Sequence, residues 1–215
     1  MADNYLEKRY EEVFGKGRTK VKQVGHTLDE LLKKNRSHRG YNKSYKVSRS
    51  ELERIVAVNT KIPSACNQQV LRFKLVTHDS GADIVLRNIR LGAALPELHL
   101  PLEGTEPEAF IVVCSTKPEN KLIDIDLGIS AQSMLLKAVE MGLNGIIIGA
   151  FNHENIEKEL GLPYPPIAII AIGKGAEKIE LTPINADESH AYYRKDGVHY
   201  VPKVKVEELV VSGQL

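Results

Sequence analysis

The sequence predicts an α+β fold in which one sheet is covered by helices. Three observations lead there. The runs EAFIVVCST (108–116), GIIIGAF (145–151) and PIAIIAIG (166–173) are of strand length and almost wholly apolar, the pattern of strands buried on both sides. Helical periodicities separate these runs irregularly and crowd the front of the chain. No GxGxxG joins a strand to a helix, so the usual dinucleotide-binding architecture is not indicated.

In chain order, residues 4–14 place Leu6, Tyr10, Val13 and Phe14 on one helical face. A second helix starts at Thr27, where Glu30 completes a capping box. Leu28, Leu31 and Leu32 form its apolar stripe, and it is expected to end near Gly40. A third helix, capped by Ser48 or Ser50, turns Leu52, Ile55, Val56 and Val58 inward and stops before Pro63. Residues 70–77 alternate as a strand. A helix opens DIVLRNIRLGAALPELHL, and a loop closes it. Residues 126–141 are helical and apolar around much of the circumference, the mark of a buried helix. Gly142 stops it. Asn152 caps a short helix that Gly161 closes. After the last apolar strand, HAYYRKDGVHYVPKVKVEELVV holds a Lys-Asp-Gly turn, an extended run and a short terminal helix.

A chain of 215 residues makes one sizeable core. Residues 1–215 therefore read as a single domain, with an N-terminal helical extension (1–26) and a C-terminal arm (190–215). Hydrophobic residues make up 42% and charged residues 27%, the balance of a soluble globular protein. No apolar run approaches the roughly 20 residues that span a bilayer. The first residues lack the apolar core of a signal peptide. The expected compartment is the cytoplasm, with no membrane partner. A net charge of +1 argues against a broad nucleic-acid surface. Cys66 and Cys114 show no metal-ligand spacing and read as buried small hydrophobes rather than reactive thiols.

No GxSxG, HExxH, P-loop or CxxC is present, and none of the seven histidines stands at ligand spacing with another. No metal is expected. Chemistry in such a chain belongs to a bound cofactor. One segment points to where that cofactor sits. Between Glu30 and Glu51 every charged side chain is a cation: Lys33, Lys34, Arg36, Arg39, Lys43, Lys46 and Arg49. Such a run is a solvated face, a tail-like contact or a local anion site. At the turn, Arg36, Ser37 and Arg39 combine forked guanidinium donors with a hydroxyl, a donor set suited to phosphate.

The series NRSHRGY, PSACNQQ (from position 63), DIDLGISAQSMLLKAVEMGL, GIIIGAF, ELGLP, AIIAIG and VPKVKVEELV, in this order and spacing, resembles the FMN-dependent nitroreductase family. The resemblance runs from about residue 28 to the C-terminus. It implies a mostly antiparallel central sheet flanked by helices, in an intertwined homodimer with a C-terminal arm and FMN sites at the interface. It further implies that Arg36, Ser37 and Arg39 bind the flavin phosphate and ribityl chain. Lys203 and Lys205 would complete the phosphate site, with Lys205 where the family usually has Arg. Pro63, Ser64, Ala65 and Asn67 would lie beside the flavin ring, reaching across from the other subunit. Asn67 suits a ring carbonyl or the N3 hydrogen, and by propensity alone it also suits a helix C-cap. Ile148, Gly149 and Ala150 would meet the ring through backbone groups, where small residues allow close approach.

The implied activity is ping-pong hydride transfer from NADH or NADPH to electron-poor acceptors such as nitroaromatics or quinones, with no side-chain acid or base. The alternatives are a same-fold flavoenzyme for dehalogenation or flavin cleavage, and a non-catalytic FMN-binding protein. Two features depart from the family pattern. Val70 and Leu71 stand where many relatives have Pro and Trp. The loop LGAALPELHLPLEGTEPE matches no substrate-defining signature.

Overall fold

The apolar runs line up as the middle of a sheet. In the computed structural model, which describes residues 25–92 and 100–211, four strands stand in the order β1 (Leu71–Val76), β2 (Ala109–Ser115), β4 (Pro166–Gly173) and β3 (Asn144–Ile148). Every neighbouring pair is antiparallel. The central strands β2 and β4 are buried along almost their whole length, which is why they carry no polar alternation. On one face Phe110, Val112, Ile146, Ile148 and Ile169 pack with residues of α3 (Ala82–Asn88) and α5 (His153–Glu159). On the other, Ile111, Val113, Ile170 and Ile172 pack with Leu52 and Ile55 of α2 (Arg49–Val56) and with Ala131, Met134 and Ala138 of α4 (Lys121–Glu140). Each fully buried Ile or Leu contributes about 1.5–3 kcal/mol, so both layers are held by the same sheet. The expected α+β class, with a mostly antiparallel sheet flanked by helices, is the one found. The helix expected over 4–14 lies outside the described residues.

Several boundaries differ from expectation. Helix α4 begins at Lys121, not at 126. Asn120 caps it, its side-chain oxygen accepting from the Leu122 and Ile123 N–H groups at 3.0 and 3.3 Å. The polar first turn hid this start. Helix α1 (Leu28–Lys34) has the expected Thr27–Glu30 capping box but stops well before Gly40. Asn35 leaves the helical region, and the Arg36 guanidinium takes the carbonyls of Leu32 and Asn35 at 2.8 and 2.5 Å. Among the described residues nothing covers the stripe on α1, where Leu28 is 62% and Leu32 39% exposed. Cys114 is buried as expected, which pushes its thiol up to about 11, whereas Cys66 is exposed.

A strand absent from the sequence reading, β5 (Lys178–Ile184), pairs in parallel with β7 (Val198–Val204). Strand β6 (Tyr193–Lys195) pairs antiparallel with β7 across the expected Lys-Asp-Gly turn, where Asp196 and Gly197 both have positive φ, as a two-residue hairpin turn requires. β5 buries no residue, so no apolar pattern announced it. The chain continues into a short helix, α6 (Val206–Leu209). Among the described residues no helix is long and apolar enough to cross a membrane.

Gly145 in β3 sets the fit between sheet and helix. A Cβ there would lie 2.5 Å from the Ala171 carbonyl oxygen and 2.6 Å from Leu135 of α4, whereas one at Gly149 would meet nothing within 4 Å. Gly145→Ala is therefore expected to destabilise the fold by about 1–3 kcal/mol, the cost of overpacking. Gly149→Ala should leave it nearly unchanged. Denaturant unfolding of the two variants side by side checks both.

Candidate functional site

The segment after α1 runs beside β3, an edge strand of the central sheet. Ser37 bridges Gly145 in parallel sense, and the His38 N–H donates to the Gly145 carbonyl at 3.2 Å. This extended course fixes the spacing of the three side chains around it. Arg36, Ser37 and Arg39 line a cavity of about 390 Å³ together with Gln132 of α4, Ile147 of β3, Tyr192, and His199 and Lys203 of β7. That volume is in the ordinary range of small-molecule sites.

The cations of the basic segment divide into two groups. Lys43 pairs with Glu106 and Glu108, Lys46 with Glu108, and Arg49 with Glu53. These are surface pairs of the solvated-face kind. Among the described residues no carboxylate forms an ion pair with Arg36, Arg39 or Lys203, the three cations on the cavity wall. Arg36 spends two donors on the C-terminal carbonyls of α1, a favourable place for a cation. Arg39 donates to the Ser37 carbonyl at 3.2 Å and lies over the Tyr192 ring, 5.1 Å from its centroid. Its Nε is buried and has no hydrogen-bond partner among the described residues.

Behind this wall sits one carboxylate. Glu177 accepts from the backbone N–H groups of Arg39 and Gly40 and from the Arg194 guanidinium. Its capacity goes to the main chain of the turn and to Arg194, not to the guanidinium of Arg39. His38 and His199 are buried beside it. Among the described residues, His38 Nδ1 and both ring nitrogens of His199 have no hydrogen-bond partner. Burial lowers both imidazoles from their ordinary value; Glu177 opposes this, while Arg194 and Arg39 reinforce it at His199. Unpaired cations around one cavity, with the orphaned Arg39 Nε and His199 ring nitrogens on its wall, are the chemistry of an anion site. The residues present thus fit a phosphate-bearing group.

The second predicted cluster lies elsewhere in the chain. Pro63 and Ser64 line a larger cleft of about 700 Å³ with Asn59, Gln69, Phe73, Asp126 and Ser130. Asp126 and Ser130 stand on one side of α4, whereas Gln132 and Leu135, which line the first cavity, stand roughly opposite at 100° per residue. One chain does not bring the two clusters together. Cys66, Asn67 and Gln69 all have positive φ, which non-glycine residues adopt only when their surroundings hold them there. The buried Asp126 carboxylate is one such restraint, accepting from the Ala65 N–H at 2.6 Å and from the Gln68 side chain at 3.4 Å. Asn67 does not cap a helix of ordinary kind; it ends a single 3-10 turn and is exposed.

The remaining predicted residues divide by strand alternation. Ile148 is buried on the face away from the cavity, so its side chain is core, and Ile147 lines the cavity in its place. Gly149 and Ala150 are exposed just beyond β3. Lys203 lines the cavity, whereas Lys205 lies past the end of β7 and donates to the Asn185 side chain at 2.9 Å. His199, Tyr192, Glu177 and Asp126 were missed. A signal for His199 existed: positions 199, 201 and 203 share one face of a strand. None existed for Glu177, whose role depends on a contact 138 residues away from Arg39.

Known proteins share this fold. The chain belongs to the nitroreductase family, whose sequence model matches residues 32–174. It is 25% identical, over 201 aligned residues, to a Bacillus subtilis (strain 168) protein named "Putative NAD(P)H nitroreductase YdgI", covering 77% of this chain and 91% of that one. An FMN-dependent nitroreductase from Clostridium difficile R20291 superposes with a TM-score of 0.56 at 26% identity, covering 70% of this chain and 89% of that one. A nitroreductase family protein from Streptococcus pneumoniae TIGR4 reaches a TM-score of 0.62 over 87% of this chain and all of its own, at 16% identity, a likeness of fold.

Removing the Asp126 carboxylate tests the restraint on the 64–69 turn. Asp126→Ala is expected to cost about 1–3 kcal/mol, since it leaves the Ala65 N–H without its acceptor. Amide exchange should accelerate at residues 65–69 more than in β2 or β4, read by hydrogen-exchange mass spectrometry.

Proposed function

We propose that this protein is an FMN-dependent oxidoreductase that uses NADH or NADPH to reduce electron-poor acceptors such as nitroaromatics or quinones. The observation that carries this reading is the wall of three cations, Arg36, Arg39 and Lys203, that no carboxylate neutralises among the described residues and that faces one cavity. Family membership supports it, as do the names of the B. subtilis and C. difficile relatives.

FMN, when bound, supplies the hydride chemistry. The chain's own residues bind and orient. Arg39 and Lys203 hold the phosphate end by charge, and Ser37 adds a hydroxyl donor at the turn. Arg36 is fixed by α1 and lines the same wall. Ile147, Gly149 and Ala150 offer the ring a flat approach at the end of β3. Gly149 has open space where a side chain would stand. No acid or base is assigned, because transfer of a hydride needs none from the protein.

The ring-side residues Pro63, Ser64, Ala65 and Asn67 are supplied in this reading by the partner of a homodimer. Two facts support that. Within one chain the two clusters face opposite sides of α4. Large apolar residues near α4 are also uncovered: Leu122 and Ile125 are 48% and 47% exposed, and Leu28 and Leu32 of α1 stand open as well. The end of the chain, where Val206, Leu209, Val210 and Val211 are all exposed, fits the proposed arm over 190–215. The chain is read as one domain, 1–215, acting in the cytoplasm.

Arg39→Ala is expected to weaken FMN binding by about 1.5–3 kcal/mol, the worth of a charged hydrogen bond. Riboflavin binding should change little, because only FMN carries the phosphate. Fluorescence titration of both flavins decides this, and equal losses would assign Arg39 a structural role.

Placing Glu at both Leu122 and Ile125 should yield monomers in sedimentation velocity and lower FMN occupancy with them. A wild-type monomer that retains FMN would refute the shared site.

A further inference from the structure

His199 is the least explained polar residue in the molecule. It is 3% exposed, yet neither ring nitrogen has a hydrogen-bond partner among the described residues. A buried polar group without partners is costly, and such groups in native structures call for a reason. Here the ring lines the cavity that also holds Arg36, Ser37, Arg39 and Lys203, and it separates that cavity from a smaller one of about 160 Å³ lined by Glu177 and Arg194. Nδ1 is 4.0 Å from a Glu177 carboxylate oxygen. Tyr192 flanks the ring at 5.1 Å between centroids.

We propose that His199 is a proton-linked anion ligand, taking up one proton from solvent when the flavin phosphate enters the cavity. This rests on the FMN reading and extends it. A neutral imidazole offers one donor and one acceptor; the protonated ring offers two donors. Protonated His199 can direct one N–H toward Glu177 and the other to the anion.

The charges around the ring set its resting state. Arg39 from the turn and Arg194 from β6 disfavour a further positive charge, and Glu177 favours it. Lys203 lies on the same strand, two alternations on. His38 is buried alongside and is itself held neutral. Lys178, at the start of β5, is paired with Glu180 at 3.0 Å. With burial added, the ring stays neutral at pH 7 in the flavin-free protein. A phosphate of charge about −1.5 to −2 reverses the balance, because a nearby opposite charge favours the protonated form. By linkage, an anion that raises the affinity for a proton is itself held more tightly as pH falls through the bound-state value.

The test is calorimetric titration of FMN into flavin-free full-length protein at pH 7.5, in buffers of different ionisation enthalpy, with riboflavin as control. The expected result is net proton uptake with FMN, none with riboflavin, and FMN affinity several-fold weaker at pH 8.5 than at pH 6.5. The phosphate's own second ionisation, near about 6, gives the opposite sign, proton release on binding the dianion. His199→Gln should abolish the uptake and flatten the pH profile, whereas His38→Gln should preserve both. Ring nitrogen shifts of His199, followed by NMR in the unsubstituted protein, give the same answer without a variant. FMN that binds without proton uptake, or with uptake unchanged in His199→Gln, overturns the inference and leaves the flavin reading standing. FMN that does not bind at all overturns both.

Discussion

The Glu177 carboxylate is the contact on which the candidate site depends. A carboxylate set among arginines ordinarily neutralises them, and the cavity would then have no charge to offer. Glu177 escapes that outcome by geometry. It accepts from the main-chain N–H groups of Arg39 and Gly40 and from Arg194. It therefore anchors the turn that carries Arg39 while leaving the Arg39 guanidinium over Tyr192 at the cavity wall. An anchor of this kind is largely buried, and removing one partner of such a pair leaves an uncompensated charge. Among the described residues the same carboxylate is the negative neighbour that opposes the lowering of His38 and His199.

The sheet supplies the platform. β3 is an edge strand, and an edge offers free main-chain groups. The chain uses that edge by laying Ser37 and His38 against Gly145. Gly145 admits the close packing of α4 above the sheet, and the turn inherits its position from a rigid strand rather than from a loop. On the opposite side of α4, Asp126 holds the turn in which Cys66, Asn67 and Gln69 have positive φ. Strain maintained by a buried carboxylate is a pattern of functional segments. The two regions share one helix but not one cavity, which is the physical basis for proposing that a second copy of the chain completes the site.

Much of this was legible in the sequence. The apolar runs fixed β2 and β4, because strands covered on both faces need apolar residues at every position. Capping residues located α1, α2 and α5, since the exposed N–H groups of a first turn demand a side-chain acceptor close in sequence. The absence of carboxylates between Glu30 and Glu51 marked the cationic segment, and three cations of that segment proved to be ordinary surface pairs. Strand β5 escaped notice because it buries nothing, and the early start of α4 because its first turn is polar.

What the sequence by itself determined is local: which stretches are helices and buried strands, and which residues at 36–39 could bind an anion. Each follows from side chains within a few positions of one another. Tertiary structure alone decided which cations stay unpaired, that Ile147 rather than Ile148 faces the cavity, and that Glu177 and His199 stand behind Arg39. Those outcomes depend on contacts more than a hundred residues apart in the chain, or on the register of a strand. A one-residue shift in register reverses every side chain, and no local pattern specifies it.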